Sequence, residues 1–135
     1  MSTRLADGIH WCLPRLREDG ILVFAPWAPG QALESNRFGI PEPAVAIDDC
    51  LEADALDVVL APLVGFDRRG HRLGAGGGWY DRSFAFRRHA AAPPLLVGVG
   101  YALQERSDLP INDWDVPMDL IATEAGLLDC RPATD

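Results

Sequence analysis

Four apolar runs, each closed by Gly or Pro, constrain this chain more than anything else in it: "ILVFAPW" (21–27), "DVVLAPLVGF" (57–66), "LLVGVGYA" (95–102) and "LIATEAG" (120–126). Each is apolar at nearly every residue instead of every second one, a pattern that suits strands covered on both faces. Helical patterns lie between them. "AIDDCLEADAL" (46–56) carries Asp48 or Asp49 as a cap, and a second helix is predicted from about Trp79 to Ala92, stopping at Pro93-Pro94, where the ring cannot continue it. Strand, helix, strand in succession needs crossover connections and a mainly parallel sheet. The expected fold is α/β: three layers, αβα, around a Rossmann-like sheet.

A length of 135 residues fits a single domain, 1–135, and 48% hydrophobic with 24% charged residues is ordinary for a globular protein. The charge balance is less ordinary. All 12 basic residues are arginine, none is lysine, and the formal net charge is −8. Phosphate backbones need a basic face, so nucleic acid is excluded as the main partner. The three cysteines, Cys12, Cys50 and Cys130, are far apart without a CxxC pair, which reads as free thiols in a reducing compartment. No basic-then-apolar leader opens the chain and no apolar run approaches a membrane span, so a cytoplasmic protein with no membrane partner is expected. His10, His71 and His89 share no ligand spacing and read as structural or surface residues. Arg87 and Arg88 read as a solvated helix face, Trp11 and Trp27 as packing. The Pro/Gly-rich connection at 26–44 is long enough to be functional or disordered.

The stretch "RLGAGGGWYDR" (72–82) carries the chemistry. It follows a strand and opens the second predicted helix, so its glycines sit where ligands settle in α/β sheets and where helix N–H groups attract an anion. Glycine lets a phosphate approach the backbone with no Cβ in the way. The standard phosphate motifs do not fit. A P-loop needs a lysine that this chain lacks, and G-x-G-x-x-G started at Gly74 and Gly76 reaches Trp79 where the third glycine belongs. The flanks are informative instead. Arg72 can fork onto phosphate oxygens, and Asp81 can hold the Mg²⁺ that travels with nucleotides.

"APLVGFDRRGHRLGAGGGWYDR" resembles the signature of the 5-formyltetrahydrofolate cyclo-ligase family, also called methenyltetrahydrofolate synthetases. "FAPWAPGQALESNRFGIPEP" (24–43) is similar to that family's mid-chain stretch and "GVGYALQERSDLPINDWDVPMDLIATEAG" (98–126) to its closing stretch. The resemblance implies an enzyme that uses ATP and Mg²⁺ to convert 5-formyltetrahydrofolate to 5,10-methenyltetrahydrofolate, with release of ADP and phosphate. It also implies residue roles. Arg72, Leu73, Gly74, Ala75, Gly76, Gly77, Gly78, Trp79 and Tyr80 match the ATP-phosphate loop. Gly76, Gly77, Gly78 and Trp79 would also face the folate, with Phe38 near its pterin ring. Tyr80 would orient the formyl oxygen while Arg72 neutralises charge, and Asp81 and Asp115 match Mg²⁺ ligands.

The chain departs from the pattern at Trp79, which replaces a tyrosine, and at Trp114, where many relatives have histidine. The resemblance further implies a preceding segment, about a third of a family chain, with a Lys and Arg that grip ATP and an acidic residue that reads the pterin. Without it the fold is expected to be truncated at its amino-terminal side, the short chain to turn over little and to self-associate through uncovered sheet. A non-catalytic relative that binds nucleotide or folate is the alternative. A dinucleotide-dependent oxidoreductase would need a true third glycine and an acidic ribose contact.

Overall fold

The computed structural model describes residues 8–74 and 76–132. Their contacts gather into two compact units, one ending at Ala53 and the other beginning at Asp54.

The first unit is built of hairpins. Strands β1 (Cys12–Leu16) and β2 (Leu22–Pro26) pair antiparallel, Leu16 opposite Leu22. The run at 21–27 was expected to join a parallel sheet, but the link from Leu16 to Leu22 is far too short for a crossover, which takes a dozen or more residues. The chain reverses through Gly20 at φ 88°, with Asp19 accepting the Ile21 N–H. A second hairpin, β3 (Leu33–Ser35) with β4 (Pro41–Pro43), occupies the Pro/Gly-rich connection. Glu42, 3% exposed, is the link between the two: its carboxylate accepts the Leu16 N–H at 2.6 Å and faces Arg15 Nε at 3.4 Å. The helix expected over 46–56 is replaced by two single 3₁₀ turns, Ile47–Asp49 and Ala53–Ala55.

The second unit is a mixed sheet. Its order is β10 (Gly126–Asp129), β9 (Leu120–Thr123), β8 (Leu95–Val99), β5 (Val58–Pro62), with β5, β8 and β9 mutually parallel and β10 returning antiparallel. The mainly parallel α/β sheet is thus present, while its helices are few. The predicted helix over 79–92 is one short α-helix, α1 (Trp79–Ser83), followed by a 3₁₀ turn over Ala85–Arg88. Between β5 and α1 lies a small hairpin, β6 (Gly65–Phe66) with β7 (Arg72–Leu73). Its turn is fixed by Asp67, which accepts the Arg69 and His71 N–H groups and bonds the His71 ring at 2.8 Å. His71 is therefore structural, as expected. Gly70 in that turn is required twice over. Its φ is +89°, and a Cβ there would lie 2.3 Å from the Met118 carbonyl oxygen.

The two faces of the sheet differ. Register places Val59, Ala61, Leu96 and Ile121 on one face, all at most 5% exposed. Each such side chain stabilises the fold by about 1.5–3 kcal/mol for Leu or Ile. The other face carries Val58 and Leu60 of β5, Val99 of β8 and Leu127 of β10, exposed by 42–69%. The expectation of cover on both faces is corrected for β5, which alternates buried and exposed although its sequence is continuously apolar, while in β8 the adjacent Leu96 and Val97, on opposite faces, are both buried.

Candidate functional site

Glycines 76, 77 and 78 have φ of 113°, 86° and 69°, three consecutive residues in conformations that side chains disfavour. Around Gly77 and Gly78 the neighbours leave no room either. A Cβ on Gly77 would lie 3.0 Å from the Trp79 ring and one on Gly78 2.9 Å from Arg82 Nη1, whereas at Gly76 it would meet nothing within 4 Å. The loop is closed from below by Arg82, whose Nη1 donates to the Gly77 carbonyl at 2.5 Å while its guanidinium lies 5.1 Å from the Trp79 ring centre. Ala75, also expected in the phosphate loop, lies outside the described residues. α1, at five residues, is too short for the helix-dipole attraction the sequence suggested. The loop backbone and its arginines are what remain.

Arg72 sits at the end of β7, with Leu73 beside it bonding its carbonyl to the Val64 N–H. Its Nη1 donates to the Pro62 carbonyl at 2.8 Å and its guanidinium lies 4.8 Å from the centre of the Tyr80 ring. A Cβ on Gly74 would lie 2.8 Å from that Nη1, so the first glycine of the run makes room for the arginine. Burial holds the Arg72 pKa below its usual value, opposed by the nearby charges of Asp81 and Asp115, yet no carboxylate forms an ion pair with it among the described residues. Burial also raises the Tyr80 hydroxyl, against a smaller lowering by Arg72. The tyrosine stays a proton donor at neutral pH.

The segment that carries Asp115 meets α1 at Asp81, a contact the sequence did not indicate. Asp81 Oδ1 accepts the Val116 N–H at 3.0 Å, so the peptide that follows Asp115 rests on the Asp81 carboxylate. Asp115 Oδ2 accepts the Asn112 N–H at 2.8 Å, which turns the 112–116 segment back on itself. No group of three or more His, Cys, Asp or Glu side chains that could hold a metal alone occurs among the described residues. Two hard carboxylates fit Mg²⁺ of the kind completed by phosphate oxygens and water. Phe38 lies in the first unit, exposed by 57%, with Arg37 4.8 Å from its ring centre.

Residues 2–124 match the model of the 5-formyltetrahydrofolate cyclo-ligase family. This chain belongs to that family. It is 39% identical over 104 residues to the 5-formyltetrahydrofolate cyclo-ligase of Escherichia coli K12, covering 77% of this chain and 56% of that protein. The Haemophilus influenzae enzyme of the same name is 39% identical over 97 residues, 72% of this chain and 51% of that one. The solved 5,10-methenyltetrahydrofolate synthetase of Aquifex aeolicus superposes with a TM-score of 0.72 at 31% identity, covering 93% of this chain and 61% of that one. The chain therefore spans about half the length of the curated relatives it matches. No helix among the described residues is long and apolar enough to cross a membrane.

Two features of this cyclo-ligase family member were not foreseen from its sequence. Arg82, three residues beyond Trp79, is the residue that closes the loop. Arg87, taken for a solvated residue, is 9% exposed at its side chain and grips Asp119 through Nη2 at 2.7 Å to both carboxylate oxygens, with Nε on the Pro94 carbonyl and Nη1 on that of Ala90. Asp119 also accepts the Leu96 N–H, so the arginine ties the end of the α1 segment to β8 and β9.

Proposed function

We propose that this chain binds Mg·ATP on the loop 74–78 and takes part in the ATP-dependent closure of 5-formyltetrahydrofolate to 5,10-methenyltetrahydrofolate, releasing ADP and phosphate. The observation that carries the proposal is a loop of bare glycine backbone flanked by Arg72, which has no carboxylate partner among the described residues, and by Asp81, which accepts the N–H of Val116 in the segment that carries Asp115. A formamide oxygen is a poor leaving group. Transfer of the γ-phosphoryl group onto it makes a good one, and N10 then attacks the activated carbon as phosphate departs.

The chain's residues have positioning and charge-neutralising roles in this scheme. Loop amides at Gly76–Gly78 hold phosphate oxygens where no side chain intrudes, and Arg72 offsets the charge that gathers there. The protonated Tyr80 hydroxyl donates to the formyl oxygen and orients it. Asp81 and Asp115 would hold Mg²⁺, which supplies charge neutralisation at the transferred phosphoryl group. Phe38, Gly76, Gly77, Gly78 and Trp79 are assigned to the folate. The full three-layer αβα arrangement, self-association through the face that carries Val58 and Leu60, and a cytoplasmic setting belong to the same reading.

The test mixes the purified chain with ATP, Mg²⁺ and 5-formyltetrahydrofolate and follows the absorbance of the methenyl product together with ADP release. Product formed in step with ADP supports the reading; absence of both nucleotide binding and product removes it. Because the chain spans about half the length of its relatives, a binding role without turnover is the second reading. Mg·ATP binding with no methenyl product would select it.

A further inference from the structure

Arg82 has no part in the reaction proposed above, yet it holds the carbonyls of both Gly77 and Gly78. Its side-chain Nη1 donates to the Gly77 carbonyl at 2.5 Å, and its backbone N–H donates to the Gly78 carbonyl at 3.0 Å. The surroundings set the guanidinium for this. Its central carbon lies 5.1 Å from the centre of the Trp79 ring, and a Cβ on Gly78 would stand 2.9 Å from Nη1. A planar guanidinium can rest on an aromatic face and aim its donors from there, which a lysine ammonium does not do. Arg82 is itself exposed, so what it holds is the loop and not the core.

The carbonyl it takes decides where an N–H points. A trans peptide is planar, with its C=O and its N–H directed to opposite sides, and the Gly77–Gly78 peptide is trans. With the Gly77 carbonyl drawn to Arg82, the Gly78 N–H is turned to the other side of the loop, where it donates to no acceptor among the described residues. Glycine makes that orientation a choice. Rotating this one peptide by half a turn changes only ψ at Gly77 and φ at Gly78, carrying the latter from +69° to the negative side, and glycine takes either sign about equally readily. The flipped peptide would present a carbonyl oxygen where the N–H had been, and an anion is repelled by it. The residues that open the loop to phosphate therefore also leave its peptide free to turn unless a neighbour fixes it.

We propose that Arg82 is a positioning residue for the phosphate loop: by holding the Gly77 carbonyl it keeps the Gly78 N–H turned towards the anion, and it acts through that peptide rather than through its own charge. The inference rests on the phosphate-loop reading above. It gives two arginines two tasks, Arg72 facing the anion with its own donors and Arg82 fixing a backbone donor. Loss of the lock lowers affinity by the fraction of molecules whose peptide is turned the wrong way.

The experiment titrates the full chain, in Mg²⁺, with inorganic tripolyphosphate by calorimetry, for wild type, Arg82→Ala and Arg82→Lys, and follows the Gly77 carbonyl and Gly78 amide signals of each protein by NMR. Arg82→Ala is expected to weaken tripolyphosphate binding about tenfold, the scale of one charge-assisted hydrogen bond. Its Gly77 and Gly78 signals are expected to shift towards a second state while the thermal midpoint stays within a few degrees of wild type. Guanidinium chloride, at a concentration far below denaturing, is expected to return both the affinity and the signals of Arg82→Ala, and sodium chloride at equal ionic strength to return neither. Arg82→Lys keeps the charge without the flat face, and is expected to lie between the other two in both readouts together. Tripolyphosphate affinity that is indifferent to Arg82→Ala, or that follows the charge of residue 82 with the Gly78 signal unmoved, overturns the positioning role while leaving the phosphate loop standing. Failure of wild type to bind tripolyphosphate removes the phosphate-loop reading instead. The signals of the ligand-free proteins then decide the lock: a second Gly78 state in Arg82→Ala that guanidinium reverses supports it, and the same Gly78 signal in wild type and Arg82→Ala ends it.

Discussion

Arg72 and Arg87 stand at the two ends of one short stretch, just before the glycine loop and just after α1, and they are used in opposite ways. Arg87 has a bidentate carboxylate partner and two carbonyls, and its side chain is almost out of solvent. Arg72 is half-buried against an aromatic ring and a single carbonyl, with no ion pair among the described residues. A guanidinium presents five N–H donors, so the first is nearly saturated by the protein and the second is not. The difference separates an arginine that holds the structure from one whose remaining donors suit an anionic ligand.

The largest expected effect tests that division directly. Removing one partner of a buried ion pair leaves the other charge uncompensated, which costs about 3–5 kcal/mol. Arg87→Gln is therefore expected to lose stability on that order in urea unfolding. Arg72→Gln forfeits one hydrogen bond and one cation–π contact, about 1–2 kcal/mol together, but should abolish tripolyphosphate binding. If the two variants are equally destabilised and both still bind tripolyphosphate, the contrast between the arginines is wrong.

Next in size is the loop that Arg72 flanks. A branched side chain at Gly76 would enter space that is open in the structure, at a φ of +113° where it is also strained. Gly76→Val is expected to weaken ATP binding at least tenfold in calorimetry, while the midpoint of thermal unfolding falls by only a few degrees. Equal ATP affinity in the two proteins would mean that the backbone there does not meet phosphate.

Asp81→Asn comes third and isolates charge from geometry. The Val116 N–H needs an acceptor oxygen, and asparagine still supplies one at Oδ1. The fold should therefore hold, and the Mg²⁺ concentration required for nucleotide binding should rise severalfold because a hard cation loses a charged ligand. An unchanged Mg²⁺ dependence would make Asp81 only the support of the 112–116 loop.

The contrast between the arginines also shows what could be read in the sequence. The apolar runs at 57–66, 95–102 and 120–126 identified β5, β8 and β9 because an apolar strand is recorded in its own residues. The glycine loop was legible for the same reason. Arg87 was not: beside Arg88 in a predicted helix it looks like a solvated face, and its partner Asp119 is brought to it only by the assembled sheet. The run at 21–27 was a strand, but nothing in its composition says that its partner is β1; the short link through Gly20 decides that. The helix predicted over 79–92 survived only as α1 and one 3₁₀ turn, with Arg87 bonding the carbonyls of Ala90 and Pro94 beyond it.

The smallest effect concerns what holds Arg72 in place. If the guanidinium is positioned by the face of the Tyr80 ring, Tyr80→Phe keeps that contact and should change stability at pH 7 by less than about 1 kcal/mol. The hydroxyl matters at high pH. Burial raises its folded-state pKa above the unfolded value near 10, so the folded state retains the proton longer. That contribution to stability is fully present below about pH 10 and is lost as the pH rises through the folded value. Urea unfolding at pH 8 and pH 11 should therefore show wild type losing more stability than Tyr80→Phe over the interval. Equal losses in the two proteins would mean that Tyr80 ionises as freely folded as unfolded, and that Arg72 lies beside a solvated phenol instead of on a buried ring.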